Sequence, residues 1–353
     1  MRGPNEIDFW RGFALLTIFI DHVPGLIFAD YTMRHYGLSD AAELFVFLAG
    51  WSLRLLMDGR KEPMSLPSAI MRLETRAMTI FFAQLIITQM ALALTAAGSI
   101  LLENPLFLDW NNAAAAFEDP LQTQVGIVLL SHQMGFFDIL PLYVVLIAGA
   151  PLCVICDRIW KWLPLLLSVG LYAVVLYTGV NLPTWPVEGR WYFNPFAWQL
   201  VFVLGYMLAD ARGPLAALRW LGLVGVAAGV VIGVLDYAPD PLAVPDPKLF
   251  FMFDKTFATP ARILHLLALV ALFNGFYDHI LAWMAPLARF FSMLGRNSLH
   301  VFCVGSLVAL AAQFGRFVMT GGIVVDSMVL LMGIISMGLT AWVVEWRVRS
   351  RAS

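Results

Sequence analysis

Charged residues are scarce in this chain of 353 residues. Asp, Glu, Lys and Arg together make up 13% of it, against roughly 25% in an ordinary soluble domain. The 22 basic and 24 acidic residues nearly balance, so there is no basic excess of the kind that draws a protein onto nucleic acid. The composition therefore excludes an ordinary water-soluble enzyme and argues against nucleic acid as a partner.

Cysteine is also rare, with three residues in the chain. An odd number without regular spacing excludes a disulfide framework. Cys153 and Cys156 form a CxxC pattern inside an apolar run, where small buried hydrophobes are the ordinary interpretation. We therefore expect no metal site and no permanently bound cofactor.

Apolar and aromatic residues are abundant instead. The chain is 60% hydrophobic and has 12 Trp and 26 Phe, and its mean hydropathy is +0.79. A transmembrane helix needs about 20 mostly apolar residues. The sequence predicts an all-α polytopic membrane protein that forms a single domain over 1–353. Ten spans are predicted, near 13–29, 41–57, 78–101, 139–155, 163–180, 196–208, 220–235, 261–276, 299–314 and 323–344.

The distribution of Lys and Arg predicts the orientation of these spans. With the N-terminus inside, six of the 22 basic residues fall outside and sixteen fall on the cytoplasmic side, Arg60 and Lys61 among them. Cytoplasmic loops carry the excess of basic residues. We therefore expect both termini in the cytoplasm. The six outer residues are Arg34, Arg190, Lys248, Lys255, Arg262 and Arg316.

An acid and an imidazole interrupt the first predicted span. Asp21 and His22 lie about three turns into an otherwise apolar helix, where a charged group costs about 2.5 to 3.5 kcal/mol. Adjacent residues diverge by about 100° around a helix, so each needs a partner on another segment. Because an imidazole titrates near neutrality, His22 is a candidate general base.

Glu43 has two interpretations. Ser39, Asp40 and Glu43 open the second predicted span, and acids in a first helical turn are favoured by capping and by the helix dipole. Glu43 also falls at roughly the predicted depth of His22 and could orient the imidazole by hydrogen bonding. The sequence leaves both interpretations open.

Two further groups of residues are candidates for substrate binding. Arg72 and Arg76 are spaced i, i+4, which places both guanidinium groups on one helix face, where they could bind phosphates or a carboxylate. An aromatic cluster with amides could hold a sugar, although an interfacial aromatic belt also explains it. The candidate acceptor-binding residues are Trp185, Trp191, Asn194, Trp198 and Gln199.

Six strings, in order along the chain, resemble the OpgC family of osmoregulated periplasmic glucan succinyltransferases, which is similar to the wider set of transmembrane acyltransferases. The strings are DFWRG at 8–12, FIDHVPG at 19–25, SDAAELFVFLAG at 39–50, LPLY at 140–143, FNPFAWQ at 193–199 and LGRNSL at 294–299.

The resemblance implies a multi-pass protein of the bacterial inner membrane that moves an acyl group across the bilayer. Acyl-CoA, succinyl-CoA above all, would be the donor substrate and a hydroxyl of a periplasmic glucan the acceptor. By the family's pattern His22 is the base with Asp21 beside it, while Arg72 and Arg76 handle the donor. We place Arg11 with these two arginines.

This chain departs from the family's pattern in the third span. Thr79, Phe81 and Gln84 stand where an arginine, a tyrosine and a histidine are common. The departure concerns which donor or acceptor this member uses, not the general class.

Two mechanisms and a second functional class remain open at the level of sequence. His22 could activate the sugar hydroxyl directly, with Asp21 or Glu43 holding the imidazole, or it could carry the acyl group covalently. A proton-coupled transporter or flippase of a glycan or lipid-linked substrate would use Asp21, His22 and Glu43 as a proton relay. The sequence does not indicate an oligomeric state.

Overall fold

The computed structural model of the protein describes residues 3–58, 64–209 and 217–350, and these are mostly helical. Arg60 and Lys61 lie outside the described residues. Two short antiparallel strands, β1 (Pro183–Thr184) and β2 (Gly189–Arg190), form a hairpin. Two 3-10 segments cover Ile27–Tyr31 and Lys248–Phe250. In chain order the helices are α1 (Glu6–Asp21), α2 (Met33–Tyr36), α3 (Ala41–Asp58), α4 (Leu66–Leu101), α5 (Leu106–Trp110), α6 (Ala115–Glu118), α7 (Pro120–Val128), α8 (Ile139–Ile159), α9 (Leu163–Thr178), α10 (Pro195–Leu208), α11 (Arg219–Val234), α12 (Pro260–Phe273), α13 (Tyr277–Trp283), α14 (Ala285–Arg296), α15 (Ser298–Val318) and α16 (Ile323–Ser350).

Four of these helices, α4, α8, α15 and α16, are long and apolar enough to cross a membrane. The consecutive helices α12 and α13, bent by 49° at a short break, count as a fifth if they form one span. Large apolar side chains are exposed along α4, among them Phe82 and Ile86, as expected for a surface that faces lipid. The all-α membrane class is therefore confirmed, while the ten-span count and the cytoplasmic termini stay predictions.

Each predicted span overlaps a helix, but the bounds of two spans were wrong. The first span was expected over 13–29, whereas α1 begins at Glu6 and ends at Asp21. The third was expected to begin at residue 78, whereas α4 begins at Leu66. The hydropathy of a segment indicates where lipid contact begins, but helices continue through polar residues that favour helical geometry, such as Arg and Glu.

The described residues divide into two compact units. The first comprises the described parts of Met1–Leu48, Asp210–Ala238 and Ala261–Ser353, and the second comprises those of Ala49–Ala209 and Pro239–Pro260. The single domain over 1–353 stays a prediction.

In the first unit, α1 packs directly against α14. A Cβ atom added at Gly12 would lie 1.9 Å from the carbonyl oxygen of Phe291, and one added at Gly295 would lie 1.8 Å from that of Asp8. The two helix backbones therefore touch at both glycines, where any side chain would separate them. The rings of Phe9 and Phe291 pack edge to face at 5.5 Å between centroids, which adds a geometry that aromatic pairs prefer.

In the second unit, the core is built by pairs of long helices, α4 with α8 and α9 with α10. Trp198 and Tyr206 on α10 are fully buried. Tyr206 donates a hydrogen bond to Asp157 at 2.8 Å, and Arg54 forms an ion pair with the same carboxylate at 2.9 Å. This network joins α3, α8 and α10.

Candidate active site

The first helix carries the candidate catalytic pair at its C-terminal end. Asn5 caps the N-terminus by accepting a hydrogen bond from the Asp8 backbone N–H at 3.0 Å, and Glu6 and Asp8 lie in the first turn, where the helix dipole favours acids. Asp21 is the last helical residue, and His22 is the C-cap with φ −87° and ψ −1°. Both side chains are half-buried.

This position corrects the expectation that the pair lies within a helix running to residue 29. Pro24 cannot continue a helix because it has no backbone N–H, and Gly25 has a φ of +72°, which favours glycine. The chain therefore turns directly after His22. The Asp21 Oδ1 atom accepts a hydrogen bond from the Thr32 hydroxyl at 2.7 Å, so Asp21 has a partner outside α1.

Glu43 forms the contacts of a helix cap and of a buried ion pair. Its Oε2 atom accepts from the Asp40 backbone N–H at 3.0 Å, and Asp40 Oδ1 accepts from the Ala42 N–H at 2.8 Å, which is a reciprocal capping arrangement. Glu43 Oε1 also lies 2.6 Å from Arg262 Nη2, and Asp40 lies 3.6 Å from the same nitrogen. The capping interpretation is confirmed, and the orientation of His22 by Glu43 stays a prediction.

Arg262 is a residue that the sequence-based reasoning missed. It was counted only as one of the outer charges, although it opens an apolar helix, α12. An arginine in such a segment needs a carboxylate partner, and this signal could have paired it with Asp40 or Glu43. The exposed fraction of its side chain is 11%, and that of Glu43 is 0%.

His265 lies one turn further along α12 and fits into a space made by two glycines. Its Nδ1 atom accepts from the Ser39 backbone N–H at 3.2 Å and lies 2.7 Å from the Ser39 hydroxyl. A Cβ atom at Gly37 or Gly229 would lie within 2.5 Å of the ring. His265 therefore fixes the residue that precedes the Asp40 cap, which is a positioning contact for the start of α3.

The predicted donor-binding arginines differ in their surroundings. Arg72 and Arg76 are both exposed on α4, so the shared helix face expected from their spacing is present. Arg11 is half-buried, donates to the Leu48 carbonyl at 3.3 Å and lies 3.8 Å from Asp8. Their role in donor binding stays a prediction.

Three of the predicted acceptor-binding residues are buried in the second unit. Asn194 caps α10 by accepting from the Phe196 N–H and donates to the Val180 carbonyl at 2.7 Å. The indole N–H of Trp198 donates to the carbonyls of Lys255 and Thr256. The third, Trp191, is 4% exposed.

The other two predicted acceptor-binding residues differ from these. Trp185 is 39% exposed. Gln199 is half-buried and pairs with Ser168. Of the five residues, Trp185 has the surface most suited to contact a sugar, and the role of all five stays a prediction.

Two buried titratable residues that the sequence did not single out precede α8. His132 is 3% exposed. Its ring hydrogen-bonds the Asn112 backbone, and burial lowers its pKa. Burial raises the pKa of Asp138 to about 7, against a smaller opposing effect of the Lys255 charge. The Lys255 ammonium lies 5.5 Å from the centre of the Phe193 ring. No spacing in the sequence indicates that Asp138 and Lys255, or His132 and Asn112, lie close together.

The fold and these contacts define a class: a helical membrane protein with a half-buried histidine and an adjacent carboxylate at the end of its first helix. A family model described as OpgC protein matches residues 4–349, nearly the whole chain. The protein belongs to the OpgC family, which indicates a membrane acyltransferase-like function. No curated protein and no solved structure matches the chain.

Proposed function

We propose that this protein is an O-acyltransferase of the bacterial inner membrane. It transfers an acyl group from cytoplasmic acyl-CoA to a hydroxyl of a periplasmic glucan. We propose succinyl as the acyl group. Family membership over residues 4–349 supports the reaction class. The donor, the acceptor and the membrane are the finer parts of the proposal.

The observation that carries this proposal is the position of His22. The imidazole lies half-buried at the C-cap of α1, directly after Asp21. The predicted orientation places this end of α1 on the periplasmic side, where the acceptor is. An imidazole at a helix end, unlike one within a lipid-facing turn, can be reached by a polar substrate.

In the direct mechanism, His22 takes the proton of a glucan hydroxyl while the oxygen attacks the thioester carbonyl carbon. The new C–O ester bond forms as the C–S bond breaks, and the coenzyme A thiolate then takes the proton from the imidazolium. Asp21 supplies negative charge beside the imidazolium in this scheme. Glu43, paired with Arg262, is proposed to orient the site.

Substrate binding follows from the exposure of the candidate residues. Arg72 and Arg76 project from one face of α4 and suit the phosphates of coenzyme A as bidentate donors, with Arg11 assigned to the same task. Trp185 is proposed to contact the glucan, because aromatic faces hold sugar rings. Trp191, Asn194, Trp198 and Gln199 are proposed to support that surface.

The proposal is tested with purified protein in detergent. Wild type and His22→Ala are incubated with radiolabelled succinyl-CoA and a linear glucan, and both released coenzyme A thiol and labelled glucan are measured. We expect transfer by wild type and loss of transfer in His22→Ala without a change in thermal unfolding. Near wild-type transfer by the variant would refute the base assignment.

The same assay without glucan separates the two mechanisms, and the assay with glucan separates the rival class. Label retained on His22 supports a covalent acyl-histidine intermediate, and its absence supports direct transfer. A proton-coupled transporter releases no thiol and labels no glucan. That result, obtained with wild type and with several acyl-CoA donors, would overturn the proposed function.

A further inference from the structure

The backbone that follows His22 is held by side chains from α15 and α16. The last carbonyl groups of a helix have no partner within that helix. The Gln313 side-chain amide on α15 donates to the carbonyl oxygen of His22 at 2.8 Å. The peptide group of the candidate base is therefore fixed by a residue 291 positions away in the chain.

One turn along α15, Arg316 holds the next two carbonyl groups. Its Nη1 atom donates to the Pro24 carbonyl at 3.0 Å, and its Nη2 atom donates to that of Gly25. A Cβ atom at Gly25 would lie 2.7 Å from Nη1. The guanidinium therefore occupies the space that a side chain at this turn would need.

Asp326 on α16 completes the arrangement. It accepts from the Ile27 backbone N–H at 2.9 Å and from Arg316 Nε at 2.8 Å. The Asp326 side chain is 0% exposed and that of Arg316 is 22% exposed, so the pair is screened less than a surface ion pair. The carboxylate orients the guanidinium toward the two carbonyls.

We propose that Gln313, Arg316 and Asp326, which we call the His22 clamp, are positioning residues for the candidate base. The direction of the His22 ring depends on the backbone conformation of the turn. The clamp holds the backbone from His22 to Ile27 with four hydrogen bonds. Misplacement of a catalytic group by about 1 Å can cost about 100-fold in rate. The inference rests on the proposed function, because it assigns His22 a reaction to be positioned for.

The clamp gives a role to the charge pair of Arg316 and Asp326. Counted from the sequence, Arg316 is one of six outer basic residues. In the structure it pairs with Asp326 and binds the FIDHVPG turn. The charge pair thus acts on the backbone of the candidate site.

The test uses two variants of nearly unchanged size and one matched control. Gln313→Met removes the amide but retains length, and Arg316→Lys retains the charge but loses the planar pair of donors. Arg219→Lys is the control, because Arg219 also donates to a backbone carbonyl, that of Asn274, at 2.5 Å, in a different segment. Each protein is assayed for kcat and for the KM of succinyl-CoA, and amide hydrogen exchange is followed in a peptide covering 22–27.

We expect kcat to fall roughly 10- to 100-fold in Gln313→Met and in Arg316→Lys, with the KM for the donor within about twofold of wild type. Exchange in 22–27 should become faster in both. The control should change neither quantity. A purely structural role would speed exchange and leave kcat at the wild-type value, and that result overturns the proposal, as does unchanged exchange in both variants.

Failure of the proposed function gives a different pattern. If wild type transfers no acyl group while exchange in 22–27 responds to the two variants, the clamp holds the turn and the acyltransferase assignment is what fails. Gln313 is 8% exposed, so one of the two variants could lose its fold. The other, on the more exposed Arg316, then decides the outcome.

Discussion

Gly25 shapes the turn that follows His22 in two ways. Its positive φ turns the chain shortly after the end of α1. Its lack of a side chain leaves space for the Arg316 guanidinium. Both requirements act at one position, which is why the turn after His22 depends on a glycine there.

Gly25→Ala is expected to destabilise the protein by about 1 to 3 kcal/mol, because a non-glycine residue in the left-handed region is strained and its Cβ would displace the Arg316 guanidinium. The measurement is thermal unfolding in detergent. Gly149→Ala is the control: Gly149 lies within α8 with nothing within 4 Å of an added Cβ, and alanine there should be neutral or stabilising by up to about 1 kcal/mol. Equal effects at both positions would contradict the assigned strain.

Asp138 gives a pH-dependent prediction at the same scale. Because burial holds its pKa at about 7, above the ordinary 3.8, the folded state binds this proton more tightly than the unfolded state. Its contribution to stability is therefore largest below about pH 4 and is lost as pH rises through 7.

Asp138→Asn replaces the protonated acid by a neutral group of similar shape and removes this dependence. We expect the unfolding temperature of Asp138→Asn relative to wild type to rise between pH 5 and pH 8. Unfolding scans of both proteins at several pH values measure the difference. A difference that stays constant with pH would contradict the raised pKa.

At the scale of the element, the start of α3 is fixed by the charge of Arg262 on α12. Asp40 and Glu43 satisfy backbone N–H groups of α3 and share Arg262. Helix caps alone contribute about 1 kcal/mol. The larger effect is that each buried charge compensates the other.

Arg262→Ala is therefore expected to cost about 3 to 5 kcal/mol, since it leaves the fully buried Glu43 carboxylate without its cation. Adding Glu43→Gln to this variant should recover part of the loss. Arg349→Ala is the control, because that arginine is 59% exposed and lies 3.7 Å from Glu345, and exposed pairs are worth up to about 1 kcal/mol. Unfolding of the four proteins in detergent gives the comparison, and an Arg262→Ala loss no larger than that of the control would refute the ion pair's role.

At the scale of the whole molecule, the orientation in the membrane follows from charge. With sixteen of 22 basic residues on the cytoplasmic side, the positive-inside rule places both termini there. A green fluorescent protein fused after residue 353 should fluoresce, and alkaline phosphatase fused at the same place should be inactive in intact cells. Active phosphatase would contradict the predicted cytoplasmic C-terminus.

The helices themselves were predictable because their cause is local. Each of the ten predicted spans overlaps a helix, and the cap at Asp40 can be read from residue type. The departures arose where hydropathy and helix propensity disagree. At α4 the helix begins twelve residues before the apolar run, and at α1 a proline and a glycine end it within the run.

Family membership and the candidate pair Asp21 and His22 were thus within reach of the sequence, since both depend on residues adjacent in the chain. The partners of these residues were not. Gln313, Arg316 and Asp326 lie about 300 positions from the turn they bind, and Arg262 lies 219 positions from Glu43. Which distant polar group meets which backbone atom depends on how helices pack, and only the tertiary structure decides it, because a buried charge must find its partner wherever the folded chain brings one.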